Sequence, residues 1–165
     1  MEWERCEECG FDGSEWSDTS ALDAVASLPV RWRMGVTGVD DDDLQRRPRP
    51  GIWSIAEYAD HMREVLFGMR FLLEVAIGQP GTDLGEAPRP RFDPEPRTVD
   101  VDATLTRIEE EVSKLVMSFT VLTRGAWAST VILDGKEVDP HWITRHAVHD
   151  ATHHLLDIKR IRAAF

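Results

Sequence analysis

Four stretches of the chain carry apolar side chains at alternating steps of three and four, the period at which an α-helix turns one face to a core. The first starts at Ser20 and runs through Leu22, Val25, Pro29, Trp32 and Val36. Pro29 has no N–H to donate, so a kink or a restart after Ser27 is expected there. The second reads Ile55, Tyr58, Met62, Val65, Met69, Leu72 and Ala76. It opens on Trp53-Ser54-Ile55-Ala56-Glu57, in which Ser54 can accept from the N–H of Glu57 while Glu57 reaches back. The third is the most regular: Leu105, Ile108, Val112, Leu115, Phe119 and Leu122. The fourth occupies 140–165, with Asp139 as its cap, Pro140 at its first position, and an aliphatic side made of Ala147, Ala151, Ile158, Ile161 and Phe165.

The connections differ in kind. Gly38 and the aspartates at 40–43 end the first helix, and Arg46-Arg47-Pro48-Arg49-Pro50-Gly51 reads as connector. Four consecutive aspartates lack the alternating spacing of a calcium loop and read as solvated surface. Residues 78–100 contain Pro80, Pro88, Pro90, Pro94 and Pro96, too broken for a helix and long enough to cross the bundle. Ahead of the fourth helix, Asp134-Gly135 separates Trp127-Ala128-Ser129-Thr130-Val131-Ile132-Leu133 from Lys136-Glu137-Val138, the pattern of a small hairpin. The predicted fold is all-α: a four-helix bundle with a long crossover between helices two and three and a short hairpin before helix four. It forms one domain over 1–165, with 1–18 a cysteine-containing amino-terminal segment.

Composition narrows the partners. At 165 residues and 42% hydrophobic, the chain suffices for one domain with a real core. No apolar run approaches the roughly 20 residues that cross a bilayer. The start, Met1-Glu2-Trp3-Glu4-Arg5, lacks the basic and apolar regions of a secretory signal, so a cytoplasmic location is expected. A net charge of −11 repels phosphate backbones and anionic lipid heads, which argues against nucleic acid and membrane partners.

The chemistry is concentrated in the fourth helix. Of six histidines, four fall in His146-Ala147-Val148-His149-Asp150-Ala151-Thr152-His153-His154. His149 and His153 are one turn apart and can present two imidazoles to one transition metal, with Asp157 continuing the row. His146, Asp150 and His154 form a second row with the same step. Such a face also suits solvated surface or hydrogen-bonded interface. His61 lies at the edge of the apolar face of helix two.

The only cysteines are Cys6 and Cys9, in Cys6-Glu7-Glu8-Cys9-Gly10. A C-x-x-C-G turn is half of a zinc ribbon whose other half is missing. The pair could be a redox dithiol, a remnant, a site shared across a homodimer, or one completed by His or Asp. If the segment folds back along helix four, two of His146, Asp150 and His154 could complete a second site with Cys6 and Cys9.

Four amphipathic helices, Trp53-Ser54 opening the second, His61 within it and His149-x-x-x-His153 in the last together resemble the DinB-like (DinB/YfiT) metal-binding four-helix-bundle superfamily, which includes mycothiol-dependent maleylpyruvate isomerases. The resemblance spans about 20–165. It implies a divalent metal, zinc or nickel, held by His61, His149 and His153. Many members follow the last motif with a Gly-Gln pair, whereas this chain has Leu155-Leu156. The resemblance also implies a low-molecular-weight thiol as cosubstrate, and hence a thiol-dependent transferase or isomerase acting on a small electrophile. The alternatives are a non-catalytic metal- or ligand-binding bundle and a metal-dependent hydrolase. Three imidazoles around zinc would leave the fourth position open, as in catalytic sites.

Overall fold

A computed structural model describes residues 3–88 and 95–165; Met1, Glu2 and the linker prolines Pro90 and Pro94 lie outside the described residues. An amino-terminal hairpin, β1 (Arg5–Cys6) and β2 (Phe11–Asp12), precedes α1 (Asp18–Val36) and a short α2 (Asp41–Gln45). Then come α3 (Ile55–Gly78), α4 (Val101–Thr120), the hairpin β3 (Val131–Leu133) and β4 (Lys136–Val138), and α5 (Pro140–Arg162). The four long helices are those the apolar periodicity predicts, and each starts at a side-chain cap. Ser17, Ser54, Asp100 and Asp139 accept from the N–H groups of Ser20, Glu57, Ala103 and Trp142.

Two local expectations change. Pro29 sits inside an uninterrupted α1, where Val25, Leu28 and Trp32 are fully buried around it. That packing offsets the hydrogen bond the proline cannot make. The acid run is also partly helical, because Asp40 accepts from the N–H of Asp43 at 2.9 Å and starts α2. Three aspartates in its first turn suit the positive end of a helix dipole. The Asp134-Gly135 turn is as expected: φ is 52° and 70°, the two left-handed residues that a tight hairpin turn needs.

Each long helix has two neighbours. α3 packs on α4 and α5, and α1 packs on the same two. Side-chain pairs set the directions. Near its start α3 meets the approach to α4, where Arg97 N–H donates to Glu57 Oε1 at 3.2 Å; farther along, Arg70 bonds Glu111 at 2.8 Å. α3 and α4 therefore run the same way, which only a connection crossing the length of the bundle allows. That crossover is fixed at both ends. Leu84 N–H donates to Ile132 O beside β3, and Val99 exchanges two hydrogen bonds with the Gln45 amide. α1 and α5 also share a direction: Asp18 meets His141 and Arg145 at their starts, and Gly35 O accepts from Arg162 near their ends.

Two polar knots hold the segments that the helices alone would leave loose. Arg145, buried on α5, donates to the carbonyls of Gly13 and Trp16 and to Asp18, and its guanidinium lies 4.4 Å from the Trp3 ring centre. It fastens the amino-terminal segment to the bundle. Glu57, fully buried, closes the capping box of α3 and accepts from Arg47 Nε at 2.7 Å. Burial alone would raise its pKa; the Arg47 guanidinium and the N–H groups of Ser54 and Arg97 more than offset that and hold it at about 2.

Because the folded carboxyl lies below its ordinary 4.5, its stabilisation is present above that value and is lost as pH falls toward 2. Glu57→Gln keeps a capping residue but removes the charge beside a buried arginine. The variant should lose about 3–5 kcal/mol at neutral pH and show a flatter acid limb, measured by chemical denaturation at several pH values. An unchanged midpoint would contradict this role.

Candidate metal centre

The histidine rows of α5 point to different neighbours because the helix turns about 100° per residue. Ala147, Ala151 and Ile158 face the bundle and are buried. Measured around the helix from Ala147, His154 lies about 20° away, whereas His153 and His149 lie about 120° and 160° away. His154 therefore faces α3, and His149 and His153 face the amino-terminal hairpin.

On the hairpin side, the β1–β2 turn is closed by Gly10 N–H donating to Cys6 O at 2.9 Å, with Gly10 at φ +74°. It sets both cysteines against α5. The ligand atoms of Cys6, Cys9, His149 and His153 all lie within 4.8 Å of one another, and Cys6 Sγ is 3.6 Å from His153 Nδ1. Phe11 stacks on the His149 ring at 4.7 Å and closes one flank. Carboxylates stand behind the imidazoles. Glu4 lies 3.2 Å from His149 Nδ1 and 2.9 Å from His146 Nδ1, and Glu8 lies 3.7 Å from His153 Nε2.

The electrostatics follow from these contacts. The Cys9 N–H and then the His149 ring bring the Cys6 thiol down to about 6, while burial raises Cys9. His149 rises to about 9, chiefly through its hydrogen bond to Glu4. Burial works against Glu4 ionising, yet the two imidazoles hold it at about 2.

On the α3 side, the His61 and His154 rings meet edge to face at 5.0 Å. Trp53 lies 5.1 Å from His61, and Tyr58 lies 5.1 Å from His154. Asp157 fixes His154 through a 3.1 Å contact with Nδ1, leaving Nε2 for another partner. Burial, then the neighbouring His154, lowers His61 to about 4 against the opposing pull of Asp150 and Asp60. Tyr58 is pushed up to about 12 by burial and by Asp157.

The structure regroups the residues singled out from the sequence. His149 and His153 do converge, but on Cys6 and Cys9, and the ring that meets His61 from α5 is His154. Among the described residues, His61 joins no set of three His, Cys, Asp or Glu ligand atoms within 4.8 Å of one another. The cysteine segment does fold back along α5. It meets the row of His149 and His153 instead of His146, Asp150 and His154. His146 stacks on Trp142 at 4.4 Å and pairs with Glu4 and, at 3.6 Å, with Asp150. Glu4 and Glu8, flanking the first cysteine, are participants that sequence spacing did not single out. A cavity of about 690 Å³ between the end of α1, α2 and the start of α4 contains none of the histidines.

Residues 27–158 match the model of the DinB superfamily. No curated protein sequence matches the chain. Among solved structures, the chain is similar to YfiT from Bacillus subtilis, described as a probable metal-dependent hydrolase with an unusual four-helix bundle topology. The TM-score is 0.76 at 15% identity, over 98% of this chain and 93% of that one. With its sequence matched over most of its length and the same bundle topology, the chain belongs to the DinB superfamily.

Proposed function

We propose that this protein is a metal-dependent enzyme acting on a small electrophile, with a divalent ion held between α3 and α5 by His61 and His154. The observation that carries the reading is the approach of His61 to His154 across the helix interface. The donors suit zinc or nickel: two imidazoles, one of them kept neutral by burial. A bound ion would supply Lewis acidity, lowering the pKa of a water or thiol in its open position. The remaining tasks fall to the chain itself. Asp157 orients His154 through Nδ1. Trp53 and Tyr58 give the site an apolar wall, and the phenol of Tyr58, held protonated, can donate to an oxygen that gains charge.

Hydrolysis is the first use of such a site, supported by the likeness to YfiT. A second reading keeps the same residues and puts a low-molecular-weight thiol in place of water, making the protein an S-transferase or isomerase. It is supported by the resemblance of Trp53-Ser54, His61 and the last-helix histidines to a superfamily that includes mycothiol-dependent isomerases. A panel of esters, amides and electrophiles assayed with and without added thiol separates the two. Turnover without thiol supports hydrolysis, and turnover only with thiol supports transfer.

Two further outcomes are expected. His61→Ala and His154→Ala should each remove one metal equivalent, measured by elemental analysis, and reduce turnover to background; full retention of metal in both would refute the assignment. In chelator-treated protein, the His61 ring protons should titrate in NMR spectra near 4 rather than 6.5. Since a histidine lowered in the folded state binds fewer protons than the unfolded chain, its neutral burial also makes stability fall as pH drops from 6.5 toward 4. A titration midpoint at 6.5 would mean that the ring is not desolvated.

A further inference from the structure

Beyond the site between α3 and α5, we propose a second, structural metal site of the Cys₂His₂ class, formed by Cys6, Cys9, His149 and His153, that clamps the amino-terminal hairpin to α5. The donor set has the composition of closed tetrahedral zinc sites: two thiolates from a C-x-x-C turn and two imidazoles one helical turn apart. Its spacing fits as well. Zinc–sulfur bonds of about 2.3 Å and zinc–nitrogen bonds of about 2.05 Å at a tetrahedral angle imply a sulfur–nitrogen edge of about 3.6 Å. Cys6 Sγ and His153 Nδ1 are 3.6 Å apart, and all four ligand atoms lie within 4.8 Å of one another.

The surroundings are those of a built site. Each histidine has its other nitrogen toward a carboxylate: His149 Nδ1 toward Glu4, which leaves Nε2 for the ion, and His153 Nε2 toward Glu8 and Asp157, which leaves Nδ1. Carboxylates in that position fix ring orientation and make the ligating nitrogen more basic. Phe11, packed on the His149 ring, and the glycine turn at Gly10 hold the cysteines in place, while Arg145 independently ties the following residues to α5. These contacts hold the hairpin against the helix. Four protein donors leave no open position, so this ion holds the segment and does not activate a substrate. The row of His149 and His153, which the proposed enzyme site does not use, acquires its own function.

The test uses the full chain, purified with reductant, stripped by chelator and titrated with cobalt. The wild type should show tetrahedral ligand-field bands and a near-ultraviolet thiolate-to-cobalt band, the latter lost as zinc replaces the cobalt. Cys6→Ser/Cys9→Ser should lose the thiolate band, whereas His61→Ala should keep it, so a failure here is distinct from a failure of the α3–α5 site. Cobalt bound to wild type without a thiolate band would overturn the proposal, as would recovery of a Cys6–Cys9 disulfide from the reductant-purified protein. A second readout does not depend on a variant folding. Trypsin cleavage after Arg5 should slow about a hundredfold with zinc at a hundred times its dissociation constant. Cleavage unaffected by zinc would likewise overturn it.

Discussion

A rigid helix can show each side chain to only one neighbour, and that constraint on α5 organises the rest of the molecule. Its buried stripe of Ala147, Ala151 and Ile158 must face the bundle. Once that stripe is buried, every other direction around the helix is fixed. Asp150 and His154 fall at the edge facing α3, and His149 and His153 fall on the flank left to the amino-terminal hairpin. Two side-chain rows separated by a fraction of a turn thereby face two different partners.

Both partners are held by buried charge. The start of α3, one turn before His61, is fixed by Glu57, which ties its own helix cap to Arg47 and to the end of the crossover at Arg97. The amino-terminal segment is fixed by Arg145, whose donors are spent on backbone carbonyls and Asp18. Such groups are costly to bury and tolerate little displacement once satisfied. They suit elements whose side chains must be held in a fixed place. The exposed ion pairs elsewhere, such as Arg33 with Glu109, carry no comparable constraint.

Much of this was legible in the sequence because it is periodic or local. Four helices, the Ser54–Glu57 cap, the Asp139-Pro140 start and the Asp134-Gly135 turn depend on side chains a few residues apart, and all formed. The long crossover was legible from its prolines; the shared direction of α3 and α4 was not, since it depends on contacts between distant residues. The histidines show the same division. Spacing identified two rows, but both rows step by four, so spacing could not say which one faces His61. The missing signal was angular. Had His154 been placed by its angle from Ala147, it would have fallen within the buried stripe, and His149 and His153 outside it. The part played by Glu4 and Glu8 had no such signal, because it arises only when the hairpin docks.

No helix among the described residues is long and apolar enough to cross a membrane. The division of α5 between two sites can be tested most directly by crystals grown with zinc and measured on either side of its absorption edge. Two anomalous peaks per chain are predicted, one surrounded by Cys6, Cys9, His149 and His153 and the other between His61 and His154. A single peak shared by His61, His149 and His153 would contradict it.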